Sequence, residues 1–377
     1  LSASKSSQLR AVAGLFLKLG TTAFGGPAAH IALMENEVVR RRQWLTREEF
    51  LDLLGMANLI PGPSSTELAI FIGYRRAGWR GLLLGGGCFI LPAALIVTAI
   101  AWAYVRYGRL PQCEAIFYGI KPVIIAVVVQ ALWNLAPAAV KSGRLALLGA
   151  VAAGLSFTGV NPLLILFGAG ALMAASQTWF HRAENSTGFI LPAGWPVLVA
   201  AGAGAPLKLG TLFLFFLKVG AVLFGSGYVL LAFLRTDLVA HRHWLTENQL
   251  LDAVAVGQFT PGPVFTTATF IGYLLGGPQA ALVATVGIFL PSFVLVAISG
   301  PLLPRLRKLP ATGAFLDGVN VASLALMAVV AWQLGTAALV DGLTLAMAAA
   351  AVLVLLRFKI NSAWLILAGG GIGWLVR

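Results

Sequence analysis

Few residues in this chain can carry charge at depth, and four of them form two repeat-matched pairs. Lys18 and Lys218 ionise inside otherwise apolar sequence, Glu67 follows a Pro-Gly-Pro turn by four residues, and Asp52 and Asp252 each precede such a turn by nine. Proline cannot continue the helix before it but suits the first position of a new one. Pro61-Gly62-Pro63 and Pro261-Gly262-Pro263 should therefore each end one half-helix and begin another. A new half-helix starts with unpaired backbone N–H groups and the positive end of its dipole, and such an end binds an anion without any formal charge. Neutral hydrogen-bonding groups surround both turns: Asn58, Ser64, Ser65 and Thr66 at the first, Gln258, Thr260, Thr266 and Thr267 at the second. The chemistry implied is reversible anion binding. A purely structural proline kink is the plainer alternative.

The lysines admit two readings. Each lies seven residues, about two helical turns, before a glycine break, Gly25-Gly26 in one case and Gly225 in the other, so cation and break share a helix face. A lysine at membrane depth costs about 2.5–3.5 kcal/mol on insertion scales, and a duplicated pair needs a reason. Lys18 and Lys218 either face an anion beside those glycines, or snorkel or pair with an acid. Among the acids, Glu67 is the first candidate for a proton-coupling residue, because a carboxyl in a dry site can carry a proton. Asp52 and Asp252 come behind it, with a structural role near Arg42 and Arg242 favoured for both. His30 reads as a satisfied buried histidine, and Lys121 is the third cation at depth.

Other chemistry is not indicated. The sequence has no His-Glu-x-x-His, no phosphate-binding GxxxxGK[ST] loop and no dinucleotide glycine fingerprint. Cys88 and Cys113 match no metal or disulfide framework. Neither an enzyme activity, a metal nor a cofactor is expected. The net charge of +13 would suggest nucleic acid in a soluble protein, but these cations lie mostly between apolar segments, where they set topology, so no nucleic-acid partner is expected. With 59% hydrophobic and 10% charged residues and a mean hydropathy of +0.89, the chain reads as a polytopic membrane protein, solvated by lipid.

The elements that must position these groups come twice. Positions 16–66 and 216–266 align without gaps at 18 identities in 51, and the match continues after a one-residue deletion through Phe71-Ile72-Gly73-Tyr74 and Phe270-Ile271-Gly272-Tyr273 to Asn161 and Asn361. A long repeat with helix breakers in corresponding places points to a secondary-transporter architecture and to its binding site. The apolar segments run at about 9–33, 80–105, 112–138, 143–158 and 161–178, then again from about 209, with interrupted stretches at 48–74 and 248–274. Arg75, Arg76 and Arg80 have no counterpart in Gly276-Gly277-Pro278-Gln279, and opposite charge bias in matched loops is what inverted halves require. The expected fold is all-α, with two inverted-topology repeats of five transmembrane helices, each carrying a re-entrant or broken hairpin. The repeats would occupy 9–178 and 209–377, joined by a cytoplasmic linker at 179–208. Glycine-rich runs read as helix-packing faces, within one chain or in a homodimer.

The motifs together, FGGP at 24–27, RRRQWLT at 40–46, IPGP after Asn58, and the echoes HRHWLT and QFTPGP, resemble the long, two-repeat form of the chromate transporter family over nearly the whole chain. The resemblance implies a multi-pass protein of the bacterial inner membrane that exports chromate and confers chromate resistance, driven by the electrochemical gradient, with sulfate as a related anion. The alternatives are a transporter of sulfate or another oxyanion, or an anion channel, which the broken helices also permit. Ser226-Gly227 replaces the Gly26-Pro27 of the first half, so the two halves are not expected to bind alike.

Overall fold

The computed structural model describes residues 5–108, 110–181, 208–224, 229–299, 310–358 and 360–377. The helices are α1 (Lys5–Thr22), α2 (Gly26–Glu35, running into a π-helical turn Asn36–Arg41), α3 (Arg47–Ala57), α4 (Ser64–Tyr107), α5 (Pro111–Ala139), α6 (Gly143–Phe157) and α7 (Pro162–His181). The second half repeats them as α8 (Leu209–Val222), α9 (Leu230–Leu234, running into the π-helical Arg235–His241), α10 (Glu247–Phe259), α11 (Thr267–Ser299, preceded by a 3-10 turn Val264–Thr266), α12 (Pro310–Ala338), α13 (Gly342–Arg357) and α14 (Ser362–Val376). The helices beginning α4, α5, α11 and α12 are long and apolar enough to cross a membrane, and five shorter apolar helices accompany them. The chain is an all-α polytopic membrane protein. Most of the expected linker, 182–207, lies outside the described residues, as does Gly225.

The interrupted stretches are hairpins that enter and return. Thr46 and Thr246 cap α3 and α10 with reciprocal boxes to Glu49 and Gln249. Arg75, near the end of the arm that follows the first turn, reaches back to Glu49 at the start of α3, 3.1 Å away. Arg42 and Arg76 both stand over Trp44, at 5.1 and 5.2 Å from its ring centroid, and Arg242 covers Trp244 at 4.8 Å. The duplicated Trp-Leu-Thr motif thus builds hairpin bases, and the Pro-Gly-Pro turns are their tips. After each hairpin the chain reverses at Ala77–Gly78 and Gly276–Gly277, where Gly78 and Gly277 take φ of +62° and +70°. The reversal lays Gly73 against Gly81, and Thr269 within 2.7 Å of Thr285.

The halves are upside down relative to each other. Along α5 and α12, which are repeat-equivalent, Tyr118 bonds Asp341 at 2.6 Å, Ile125 faces Gly335, and Lys141 bonds Asp317 at 2.7 Å. Position rises on one helix as it falls on the other, so the pair is antiparallel, as inverted repeats require. The halves also interlock through glycine. Gly119 on α5 meets Gly369 and Gly373 on α14, and the repeat-equivalent Gly318 on α12 meets Ala169 and Gly170 on α7. These glycine faces pack within one chain. Asn161 and Asn361, matched in the repeat, accept from the amides of Leu163 and Ala363 at the starts of α7 and α14.

Segment 9–33, read from sequence as one crossing, is two helices. Gly25 and Gly26, with φ of +103° and +77°, break it, and Lys18 then pairs with Glu37. In one continuous helix those residues would be about 28 Å apart.

Candidate functional site

Each hairpin tip is fastened to the other repeat. The Gly62 N–H donates to Leu223 O at 2.7 Å, and the Gly262 N–H donates to Ala23 O at 2.9 Å. Ala23 and Leu223 close α1 and α8, where helix breaks free carbonyls for outside partners. The duplicated Phe-Gly and Pro-Gly-Pro motifs are therefore partners across the repeat boundary. Both tips demand glycine. Gly62 has φ of +138°, and a Cβ there would meet the Glu67 carboxylate and the Ser292 hydroxyl. Gly262 has φ of +87°, and a Cβ would lie 2.6 Å from that of Ala93. This corrects one expectation: the tip glycine amides are occupied by the scaffold and do not wait for a ligand.

The amides that remain open belong to the next residues. The first arm of α4 begins at Ser64 with Pro63 as a cap that supplies no side-chain bond, while the amides of Thr66 and Glu67 already bond Pro63 O at 2.7 and 3.1 Å. Ser64 and Ser65 border a cavity of 380 Å³ together with Asn58, Pro63, Val264 and Phe265, so both tips converge on it. At about 30 Å³ of liquid per water, it holds roughly a dozen waters, or a tetrahedral oxyanion with part of its shell. Pro27, Ala28 and Ile31 of α2 form another wall, with the end of α5 and the middle of α12 opposite. No charged residue lines it among the described residues.

Asn320 and Ser323 on α12 are the polar groups that the sequence reading missed. Ser323 is 3% exposed, and its hydroxyl has no partner among the described residues. Two polar residues three apart share one face in the middle of this helix, and that spacing was the available signal.

His30 ties the site to the second tip. Its Nε2 lies 3.1 Å from Ala23 O, the same carbonyl that receives Gly262, and its Nδ1 lies 3.4 Å from the Ser65 hydroxyl. A carbonyl can only accept, so the proton belongs on Nε2, and in the neutral ring Nδ1 accepts from Ser65. His30 packs edge-on against Phe89 and is satisfied on both sides, as expected of a structural histidine.

Glu67 sits behind the first tip and is fully buried. Its Oε1 accepts from Ser292 at 3.4 Å, Oε2 has no hydrogen-bond partner, and no ion pair reaches it among the described residues. The neighbouring Thr66 hydroxyl is likewise without a partner.

Other candidates lie elsewhere. Lys18 is 2.8 Å from Glu37, which also bonds Arg41 and Arg42, and this cluster holds the Glu37 carboxyl down at about 2, Lys18 being the largest cause. Lys218 lies 3.8 Å from Asp237, the repeat-equivalent of Glu37. Both lysines pair with acids and neither lines the cavity. Thr260, Thr266 and Thr267 donate to carbonyls of their own segment, those of Val256, Pro263 and Val264. Gln258 is buried and Asp52 exposed. Asp252 meets Lys121 and Tyr104, not the Arg242 anticipated from sequence.

Two inverted helical repeats, with both hairpin tips at one cavity that no charged side chain lines among the described residues, define an all-α polytopic membrane protein of duplicated design. The chain belongs to the chromate transporter family, whose model matches residues 10–174 and 210–374. It is 35% identical to a chromate transport protein of Cupriavidus metallidurans, over 98% of this chain and 93% of that one. It is 35% identical to a probable chromate transport protein of Synechococcus elongatus, over 88% and 86%, and 33% identical to a chromate transport protein of Pseudomonas aeruginosa, over 96% and 91%. No solved structure matches it.

Proposed function

We propose that this chain is a secondary transporter that carries chromate, a tetrahedral dianion, out of the bacterial cytoplasm across the inner membrane. Family membership supports chromate transport. The observation that carries the site assignment is the uncapped start of α4 beside the unpartnered Ser323 hydroxyl, facing one cavity that no cation lines among the described residues. Donors of this kind offset a dianion by dipoles, which binds it without trapping it as a lysine cage would. The cavity lies toward the face where α5 ends and α12 begins, beside Lys141 and Arg144, and the charge bias assigns that face to the cytoplasm. Export from an inside-negative cell is favoured by voltage at about 2.3 kcal/mol per charge per 100 mV, so chromate moves outward without obligatory proton exchange. Glu67, buried against Gly62 and Ser292, is the group we assign to any proton that does move.

The test is uptake into inverted membrane vesicles. Ser65→Val should abolish chromate uptake while the protein inserts normally, and wild-type uptake would remove the site. Sulfate shares the shape and charge of chromate, and competition between the two in oriented vesicles decides which anion the protein prefers.

A further inference from the structure

A second cavity, of 650 Å³ and more polar than the first, lies at the opposite face, where α5 begins and α12 ends. Its lining includes Tyr104, Lys121, Asn248 and Asp252, and nothing in the carrier reading above uses them. Asp252 is 5% exposed. The Tyr104 hydroxyl donates to its Oδ2 at 2.7 Å, and the Lys121 ammonium stands 3.4 Å from Oδ1. The lysine's hydrogen bond goes instead to Asn248 Oδ1 at 3.1 Å, so Asp252 Oδ1 has an ion-pair neighbour but no hydrogen bond. A buried pair gives back its desolvation cost only when its geometry is complete. This one is incomplete, which suits a contact that must part.

The repeat supplies the second argument. The counterpart of Lys121 is Asn320, and that of Asp252 is Asp52. Asn320 lines the first cavity and Asp52 is exposed. On the face where a cavity reaches the tips, the counterparts are a neutral cavity wall and an exposed acid. On the face where the cavity stops short, they are a partly buried cluster around Asp252. Inverted repeats expose a central site alternately by exchanging such arrangements.

We propose that Lys121, Asp252 and Tyr104 form the gate that closes the far access path while the first cavity is open, and that a departing oxyanion takes the place of Asp252 on Lys121. The inference rests on the carrier reading and names the contact that must break.

The experiment uses the full-length protein with Cys88→Ala and Cys113→Ala and a reporter, Val256→Cys, one helical turn beyond Asp252 and 5% exposed. A membrane-impermeant thiol reagent is applied from the far face. Asp252→Asn and Lys121→Gln should each speed labelling about tenfold, the shift that about 1.4 kcal/mol of lost contact gives. Tyr104→Phe should give a smaller acceleration. Saturating sulfate, which does not oxidise thiols, should speed labelling in the reporter protein and not in its Lys121→Gln form. Parental rates in both Asp252→Asn and Lys121→Gln would overturn the gate, and no response to sulfate would overturn the anion's part in it. If Ser65→Val leaves uptake intact, the central site falls, whereas the labelling result judges the gate alone.

Discussion

The two hairpin tips share a backbone and differ in almost everything attached to it. Both turn on a glycine of positive φ, and both send that glycine's amide to a helix break in the other repeat. At the first tip the chain continues as Ser64-Ser65-Thr66-Glu67, opens directly into an α-helix, and leaves the Thr66 hydroxyl and Glu67 Oε2 without partners. At the second it continues as Val264-Phe265, opens through a 3-10 turn, and its threonine hydroxyls donate to their own carbonyls. Duplication has kept the scaffold, which both halves need to hold each other, and has concentrated hydrogen-bonding capacity in one half. Backbone symmetry and binding symmetry are separable.

The strongest way to break this comparison is at what the tips share. Gly62→Ala and Gly262→Ala should each destabilise the fold, with strain of about 1–3 kcal/mol from the backbone and about 1–3 kcal/mol from overpacking. Thermal unfolding in detergent measures this, and the two variants should fall together. Next come the differences. Ser323→Ala removes from the cavity a hydroxyl with no partner among the described residues, worth about 1.5–3 kcal/mol as a hydrogen bond to a charged group, and Ser65→Val replaces the hydroxyl that holds His30 with a bulkier apolar wall. Chromate binding should weaken roughly 10- to 100-fold in each, read by equilibrium binding to purified protein. Thr266→Val and Thr267→Val, at the second tip, should change affinity by less than about twofold, because those hydroxyls already serve their own backbone. Equal losses at both tips would erase the proposed asymmetry.

Glu67→Gln sharpens the comparison differently. It keeps the shape beside Gly62 and Ser292 but cannot exchange a proton, so chromate uptake should persist with an altered pH profile. An unchanged profile would assign the first tip to binding alone. The smallest effect is expected at Lys18, because its partner is Glu37 and not the ligand. Glu37 has its carboxyl lowered from 4.5 to about 2, so its contribution to stability is present above pH 4.5 and is lost as pH falls through about 2. Lys18→Ala should shrink that acid-dependent loss and leave chromate affinity nearly unchanged.

Much of the fold was legible because helix breakers are rare and local. Proline and glycine announced the hairpins, and the opposed charges of matched loops announced inversion before any contact was known. Ser64, Ser65 and Asn58 were singled out by the same logic, since they flank the break that exposes a helix start, and all three border the cavity. The fates of the glycine amides and of the lysines were not legible. Gly62 bonds Leu223, and Lys18 meets Glu37 only because the first apolar segment folds back at Gly25, and neither pairing has a signal in local spacing. Ser323 was overlooked because a hydroxyl within a helix commonly bonds its own backbone, and only the structure shows this one unpartnered among the described residues.

The measurement that tests the central claim most directly is a density map of the protein with a tetrahedral oxyanion bound. The account predicts density between the hairpin tips, within hydrogen-bonding distance of the Ser64 and Ser65 amides and the Ser323 hydroxyl, with Lys18 still on Glu37. An anion seated on Lys18 or Lys218, with the cavity between the tips empty, would contradict it.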